Sequence, residues 1–145
     1  MKVVVAIDSL KGSLSSLEAG TAVSEGIHRC ISDAEVIVRP LADGGEGTVE
    51  ALACGMNGRI ENITVTGPLG DKVEAAYGII DNTNTAIIEM SAAAGIILVK
   101  EEDRNPLNTT TYGVGELICD AIKKGCRKFI IGIGGSATND GGIGM

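Results

Sequence analysis

Val3 to Ile7 is a β-branched apolar run, the pattern of a strand buried on both faces of a parallel sheet. The polar stretch Asp8 to Ser13 follows, and Ser15 with Glu18 then forms an S-x-x-E capping box that opens a helix. The apolar stripe of that helix is expected at Ala19, Ala22, Val23, Ile27, Cys30 and Ile31. Ala34 to Val38 reads as the next strand, and a glycine-rich loop leads to a short helix over about Thr48 to Cys54. A β-α-β-α order of this kind predicts a parallel sheet with right-handed crossovers.

The pattern changes near residue 57. Arg59 to Thr66, Lys72 to Ile80 and Thr85 to Met90 alternate as strands, separated by the turn sequences Gly67 to Asp71 and Asp81 to Asn84. No helix fits in those gaps, so an antiparallel meander is expected. The shift marks a domain boundary, or an insertion into the first domain. Segment 1–57 is therefore assigned to one domain and 58–145 to the start of another. Later, Val114, Leu117, Ile118, Ala121 and Ile122 give a helical stripe, with Gly125 as the residue that ends it. Lys128 to Ile131 is a final buried strand.

Composition narrows the function. Hydrophobic residues make up 44% and charged residues 21%, as in soluble globular chains. Phe129, Tyr77 and Tyr112 are the only aromatics, which leaves few stacking platforms for bases or flavins. The net charge of −7 argues against a nucleic-acid surface. No run has the length of a membrane span, and a cytoplasmic location is expected. Cys30, Cys54, Cys119 and Cys126 show no metal-ligand spacing and are expected to be reduced, mostly buried thiols. His28, inside the first helix, reads as a surface or boundary residue.

Three polar loops stand at the C-terminal ends of predicted parallel strands, the edge where open α/β sheets bind ligands. They are Asp8 to Ser13, Leu41 to Thr48, and Gly132 onward. Each pairs a carboxylate with glycines or hydroxyls. Lys11 is the one cation among them, suited to a phosphate or carboxylate, and Asp8 is placed to hold Mg²⁺ or orient Lys11. Asp43 and Glu46 flank two glycines, and with Asp140 they supply a general base and a metal carboxylate. Thr109, Thr110 and Thr111 lead into a helix N-terminus, where free N–H groups favour anions. Arg39 and Arg104 are candidates for clamping a substrate carboxylate. Taken singly, each of these residues has an ordinary reading as a cap, a turn or a solvated surface group.

The run Gly132 to Met145 carries six glycines together with Ser136, Thr138, Asn139 and Asp140. Such a loop lets backbone N–H groups approach phosphate oxygens. Gly132-Ile-Gly-Gly-Ser-Ala137 also fits a dinucleotide-binding G-x-G-x-x-A, but Asn139-Asp-Gly-Gly142 is a poor helix former. The chain stops inside this run, which leads to the expectation of a longer parent protein.

Six segments together resemble the bacterial glycerate kinases of glyoxylate and sugar-acid breakdown. They are Asp8 to Ser15, Pro40 to Thr48, Ile88 to Ala93 with Gly95, Arg104 to Leu107, Thr109 to Glu116, and Ile131 to Met145. Leu10 stands where that family usually has phenylalanine. The resemblance implies a flavodoxin-like (Rossmann-like) parallel α/β domain interrupted by a second, mixed α/β domain with antiparallel strands. It implies chains well over twice this length, so that 145 residues alone are expected to have doubtful activity. It also implies an ATP-dependent, Mg²⁺-assisted kinase acting on D-glycerate, with 2-phosphoglycerate the expected product and 3-phosphoglycerate the alternative.

Chemistry and motif position together then assign roles. Asp8, Lys11, Asp43 and Asp140 are the catalytic candidates, with Asp8 and Asp140 also on the metal. Ser9, Ser13, Gly44, Gly45, Glu46 and Arg104 are assigned to glycerate. Thr109, Thr110, Thr111, Gly134, Gly135, Ser136 and Thr138 are assigned to the nucleotide. The expected partner is a small molecule, with no nucleic acid or membrane, and a homodimer or self-association of the chain is anticipated. A non-catalytic module for an anion or nucleotide, and a Rossmann-type dinucleotide-binding protein, stand as alternatives.

Overall fold

Strands β1 (Lys2–Ile7) and β2 (Glu35–Pro40) pair in parallel, with Val3 opposite Val36 and Val5 opposite Val38. The computed structural model describes residues 1–10 and 13–145. Helix α1 (Ser16–Cys30) starts where the sequence places it, at the Ser15–Glu18 capping box. The Glu18 amide donates to Ser15 Oγ at 3.2 Å, and the Ser15 amide donates to Glu18 Oε2 at 2.8 Å. The Ser15 amide and the Ser15 hydroxyl both donate to the Glu18 carboxylate and favour its ionised form, so its pKa is lowered.

The helix approaches the strands closely at Gly20, where an added Cβ would lie 2.5 Å from Val38 Cγ1. Two expectations are corrected in this unit. Burial in α1 is confined to Ser16, Ala19 and Gly20, while Val23 and Ile31 of the expected stripe are exposed. Strand β1 is not buried on both faces, since Val4 is 59% exposed. A two-stranded ribbon with one helix has apolar cover on a single face, and that face takes alternate side chains only.

The second sheet has the order β3-β4-β5-β6, from β3 (Arg59–Thr66), β4 (Lys72–Ile80), β5 (Thr85–Glu89) and β6 (Lys128–Gly132). The first three strands form the expected antiparallel meander, and β6 joins β5 in parallel. Gly70 at φ +94° and Asn84 at φ +51° make the turns, in the left-handed region that favours these residue types. Helix α4 (Tyr112–Lys123) is the crossover between the parallel pair, and Gly125 at φ +98° follows its end.

Alternation along the strands divides the apolar side chains between two faces. Val65, Tyr77, Ile79, Ala86 and Ile88 pack with Val114, Leu117 and Ala121 of α4 and with Ala93 and Ala94 of the short α3 (Ser91–Ala94). Ile80 and Ile87 pack with Val49 and Leu52 of α2 (Thr48–Gly55) on the other face. The sheet is thus covered on both sides, with β3 and β6 at its edges. Tyr77 is fully buried and donates its hydroxyl to Asp120 Oδ2 at 2.8 Å. Burial, followed by the Asp120 charge and hydrogen bond, pushes the phenol pKa up to about 12.

The chain divides into two compact units, Met1–Asp43 and Gly44–Met145. The compositional change near residue 57 lies later than this break, because α2 packs on β4 and β5 of the second sheet. The expectation of mostly buried thiols is also corrected. All four cysteines are free, but Cys30, Cys54 and Cys119 are exposed and Cys126 alone is buried. Burial raises the Cys126 pKa.

Candidate functional site

In the first unit, the strand-end loop begins at Asp8, whose Oδ1 accepts from the Ser9 amide at 2.7 Å. This is a short Asx-type arrangement. The Ser13 amide donates to Leu10 O at 2.8 Å, so the loop closes on itself before α1. Asp8 and Ser9 are half-buried and Ser13 is exposed. Lys11 lies outside the described residues. Arg39 is exposed on β2 and donates to the neighbouring Val38 carbonyl at 3.2 Å. Asp43 is exposed at the end of the unit.

In the second unit, the Gly44–Gly47 turn and the Gly132–Gly135 turn lie against each other. The Gly134 amide donates to Gly44 O at 2.9 Å. A Cβ at Gly132 would lie 2.5 Å from Gly44 O, and one at Gly134 would lie 2.8 Å from Gly45 Cα. The sequence suggests that these glycines admit a ligand to the backbone; here the space a Cβ would fill is taken by another stretch of backbone. Gly44 and Gly47 have φ of +92° and +89°, a conformation that residues with a side chain rarely adopt.

Glu89 holds the turn from the other side. It closes β5, opposite Gly132 of β6 in the parallel register. Its Oε1 accepts from the Val49 amide at 2.5 Å, and the Gly47 amide also donates to this carboxylate. Burial raises the Glu89 pKa, and the nearby charges of Glu46 and Glu50 raise it further, while the two amide bonds lower it. Sequence reasoning gave Glu89 no role. Its signal was a single carboxylate closing the otherwise apolar run Ala86-Ile-Ile-Glu89.

The rest of the glycine-rich run is laced to α3 and α4. The Ala137 amide donates to Ala94 O, and Thr109 Oγ1 donates to Ala137 O, both at 2.9 Å. Ser136 Oγ and Thr138 Oγ1 share a hydrogen bond of 2.9 Å. Gly135, at φ +70°, accepts from the Ile96 amide at 2.8 Å. Asp140 Oδ2 accepts both the amide and the hydroxyl of Thr111, and Oδ1 accepts from the Gly142 amide at 3.0 Å. Burial alone would raise the Asp140 pKa, but the donors from Thr111, Gly142 and Gly144 outweigh it and the pKa is lowered.

The structure therefore brings together Thr109, Thr111, Ala137 and Asp140, and separately Gly44, Gly45, Gly132, Gly134 and Glu89. Thr110 accepts from the Tyr112 amide. Arg104 donates to Val99 O at 3.2 Å, within its own segment. No group of three or more His, Cys, Asp or Glu side chains suited to a metal gathers among the described residues. After β6 the described chain makes turns and no helix, unlike a dinucleotide fingerprint. No helix among the described residues is long and apolar enough to cross a membrane.

A glycerate kinase family model matches residues 3–145. The chain is 54% identical over 145 residues to a glycerate kinase of Haemophilus influenzae and 52% identical to a glycerate 2-kinase of Escherichia coli. Each match covers 100% of this chain and 38% of the relative. A crystal structure from Salmonella typhimurium LT2, assigned provisionally as glycerate kinase 2, superposes with a TM-score of 0.85 at 53% identity. That match covers 100% of this chain and 39% of the other. The chain thus spans well under half the length of these relatives.

Proposed function

Because the chain belongs to the glycerate kinase family, we propose that it provides binding loops of an ATP-dependent kinase that phosphorylates D-glycerate at its 2-hydroxyl. The observation that carries this reading is the family match across residues 3–145, which includes all three strand-end loops. The relative named glycerate 2-kinase supports the choice of hydroxyl.

Phosphoryl transfer asks a protein chiefly for positioning and charge stabilisation. ATP with Mg²⁺, when bound, supplies the phosphoryl group and neutralises its charge. In this reading Asp8 provides a carboxylate for the ion, which takes one or two such ligands beside phosphate oxygens. Lys11, which lies outside the described residues, is assigned to neutralise the transferred charge. Asp43 is assigned the proton of the glycerate hydroxyl; in the first unit Ser9 and Ser13, and in the second unit Gly44, Gly45, Glu46 and Arg104, are each assigned to that substrate. Ser136, Thr138 and the backbone of Gly134 and Gly135 serve the nucleotide. Asp140 is assigned a second carboxylate for the ion and the threonines at 109–111 are assigned to the nucleotide, while donors from Thr111 and Gly142 hold the Asp140 carboxylate in place.

A cytoplasmic location and self-association belong to the same reading. Free exposed cysteines suit a reducing compartment. Val4 in the first unit, and Ile130 and Ile131 on edge strand β6, expose apolar surface to a partner copy.

The test is ADP release from Mg-ATP on addition of D-glycerate, run on the chain and on Lys11→Ala. Glycerate-dependent ADP formation that the variant loses supports the reading, and phosphorus NMR of the product identifies the hydroxyl used. Binding of neither ATP nor D-glycerate overturns it. Binding of both without turnover favours the non-catalytic module.

A further inference from the structure

We propose that Glu89 is the positioning residue of the Gly44–Thr48 loop, a buried carboxylate that fixes the loop's amide groups in the arrangement that receives substrate. The proposal rests on the reading that this loop handles D-glycerate.

The geometry singles out this residue. Glu89 is 8% exposed and is the one charged side chain among the buried described residues. The N-cap residue of helix α2 is Gly47, which has no side chain to cap it. The cap comes instead from the end of β5, 40 residues away in sequence, where Glu89 Oε1 receives the Val49 amide. A serine or aspartate at position 47 would satisfy the same donors locally, without burying a charge far from its own segment. Gly47, at φ +89°, holds a conformation that such a residue would strain. The remote carboxylate therefore compensates for a glycine the loop requires.

Glu89 also connects the two turns of the second unit. Its backbone pairs with Gly132, and the next amide, Met90, donates to Gly132 O at 2.9 Å. Gly132 lies against Gly44 O, and Gly134 donates to the same oxygen. The Gly44–Thr48 loop is thus held at its far end by the Glu89 side chain and at its near end by the strand that Glu89 pairs with. A further internal bond, Thr48 Oγ1 to Gly45 O at 2.8 Å, closes the loop between those anchors. Glu46 projects from its exposed centre. The charged groups acting on Glu89 are Glu46 and Glu50, both acidic, so the carboxylate is held by amide donors and the α2 N-terminus.

The experiment is nitrogen-15 NMR on the 145-residue chain, on the isosteric Glu89→Gln and on Glu89→Ala. It records amide exchange and the affinity for D-glycerate. In Glu89→Gln, exchange at Gly45 to Val49 is expected to rise and D-glycerate affinity to fall about tenfold or more, with the amides of β3 and β4 unmoved. Equal affinity in wild type and Glu89→Gln overturns the proposal alone, whether or not the loop amides exchange faster. Unchanged exchange in both variants overturns it as well. If the wild-type chain does not bind D-glycerate, the functional reading falls and the proposal falls with it.

Discussion

The carboxylate of Asp140 accepts the amide and the hydroxyl of Thr111, each at 2.8 Å. The N-terminus of α4 is therefore supplied with an anion by the chain itself. Of the three threonines before the helix, Thr109 and Thr111 fasten the glycine-rich run, through Ala137 O and Asp140, while Thr110 accepts from the Tyr112 amide. Asp140→Asn is expected to cost about 1–2 kcal/mol at neutral pH, the worth of a charge-assisted hydrogen bond lost to a neutral amide. The folded pKa of Asp140 lies below 3.8, so its contribution is present above that value and disappears as the pH falls through the folded pKa. Urea unfolding at pH 7 and pH 3 checks this, with the gap between the proteins closing at the acid end.

Glu89 has the opposite sign. Its folded pKa is raised above 4.5, first by burial, so folding favours the protonated form relative to the unfolded chain. Its contribution is complete below 4.5 and is lost as the pH rises through the folded pKa. The stability of wild type relative to Glu89→Gln should therefore fall as the pH climbs from 4.5, then level off. A relative stability that rises over that window contradicts the burial-dominated environment, in which Glu46 and Glu50 are the neighbouring charges.

Glycine substitutions separate close packing from mere composition. A Cβ at Gly113 would lie 2.0 Å from Thr66 O, where α4 meets the end of β3. The same junction carries a bond of 2.5 Å from the Thr66 amide to Glu116, which lowers the Glu116 pKa. Gly113→Ala is expected to destabilise by about 2–3 kcal/mol, since the two nearest atoms are the backbone carbonyl of Thr66, which cannot turn aside as a side chain can. Gly26, in the middle of α1, has nothing within 4 Å, and Gly26→Ala should stabilise by about 0.5–1 kcal/mol. Thermal unfolding of the two variants gives shifts of opposite sign.

Ser15→Ala removes half of the capping box of α1 and should cost about 1 kcal/mol. The loss should appear as faster exchange of the Glu18 amide. Amides in the sheet of the second unit should be unaffected.

Periodicity made most of the fold legible. The bounds of β3 and β4 follow from alternation between clear turn sequences, and the start of α1 follows from its capping box. What failed depended on how many layers cover an element. The run Val3 to Ile7 has the composition of a doubly covered strand, but β1 has one strand beside it and one helix over it, so Val4 faces solvent. The site was legible as loops and illegible as contacts. Glycine-rich sequence announces close backbone approach without saying whether a ligand or another turn makes it, and Gly132 and Gly134 meet Gly44 and Gly45. Glu89 falls in the Ile88 to Ala93 segment but receives no role from it, because one acidic residue at a strand end does not show its partner, and the Val49 amide it accepts lies 40 residues away.

Calorimetry of the chain with Mg-ATP, NAD and D-glycerate tests the central claim most directly. The account predicts heat of binding for Mg-ATP and for D-glycerate, and none for NAD. Binding of NAD without ATP would contradict it.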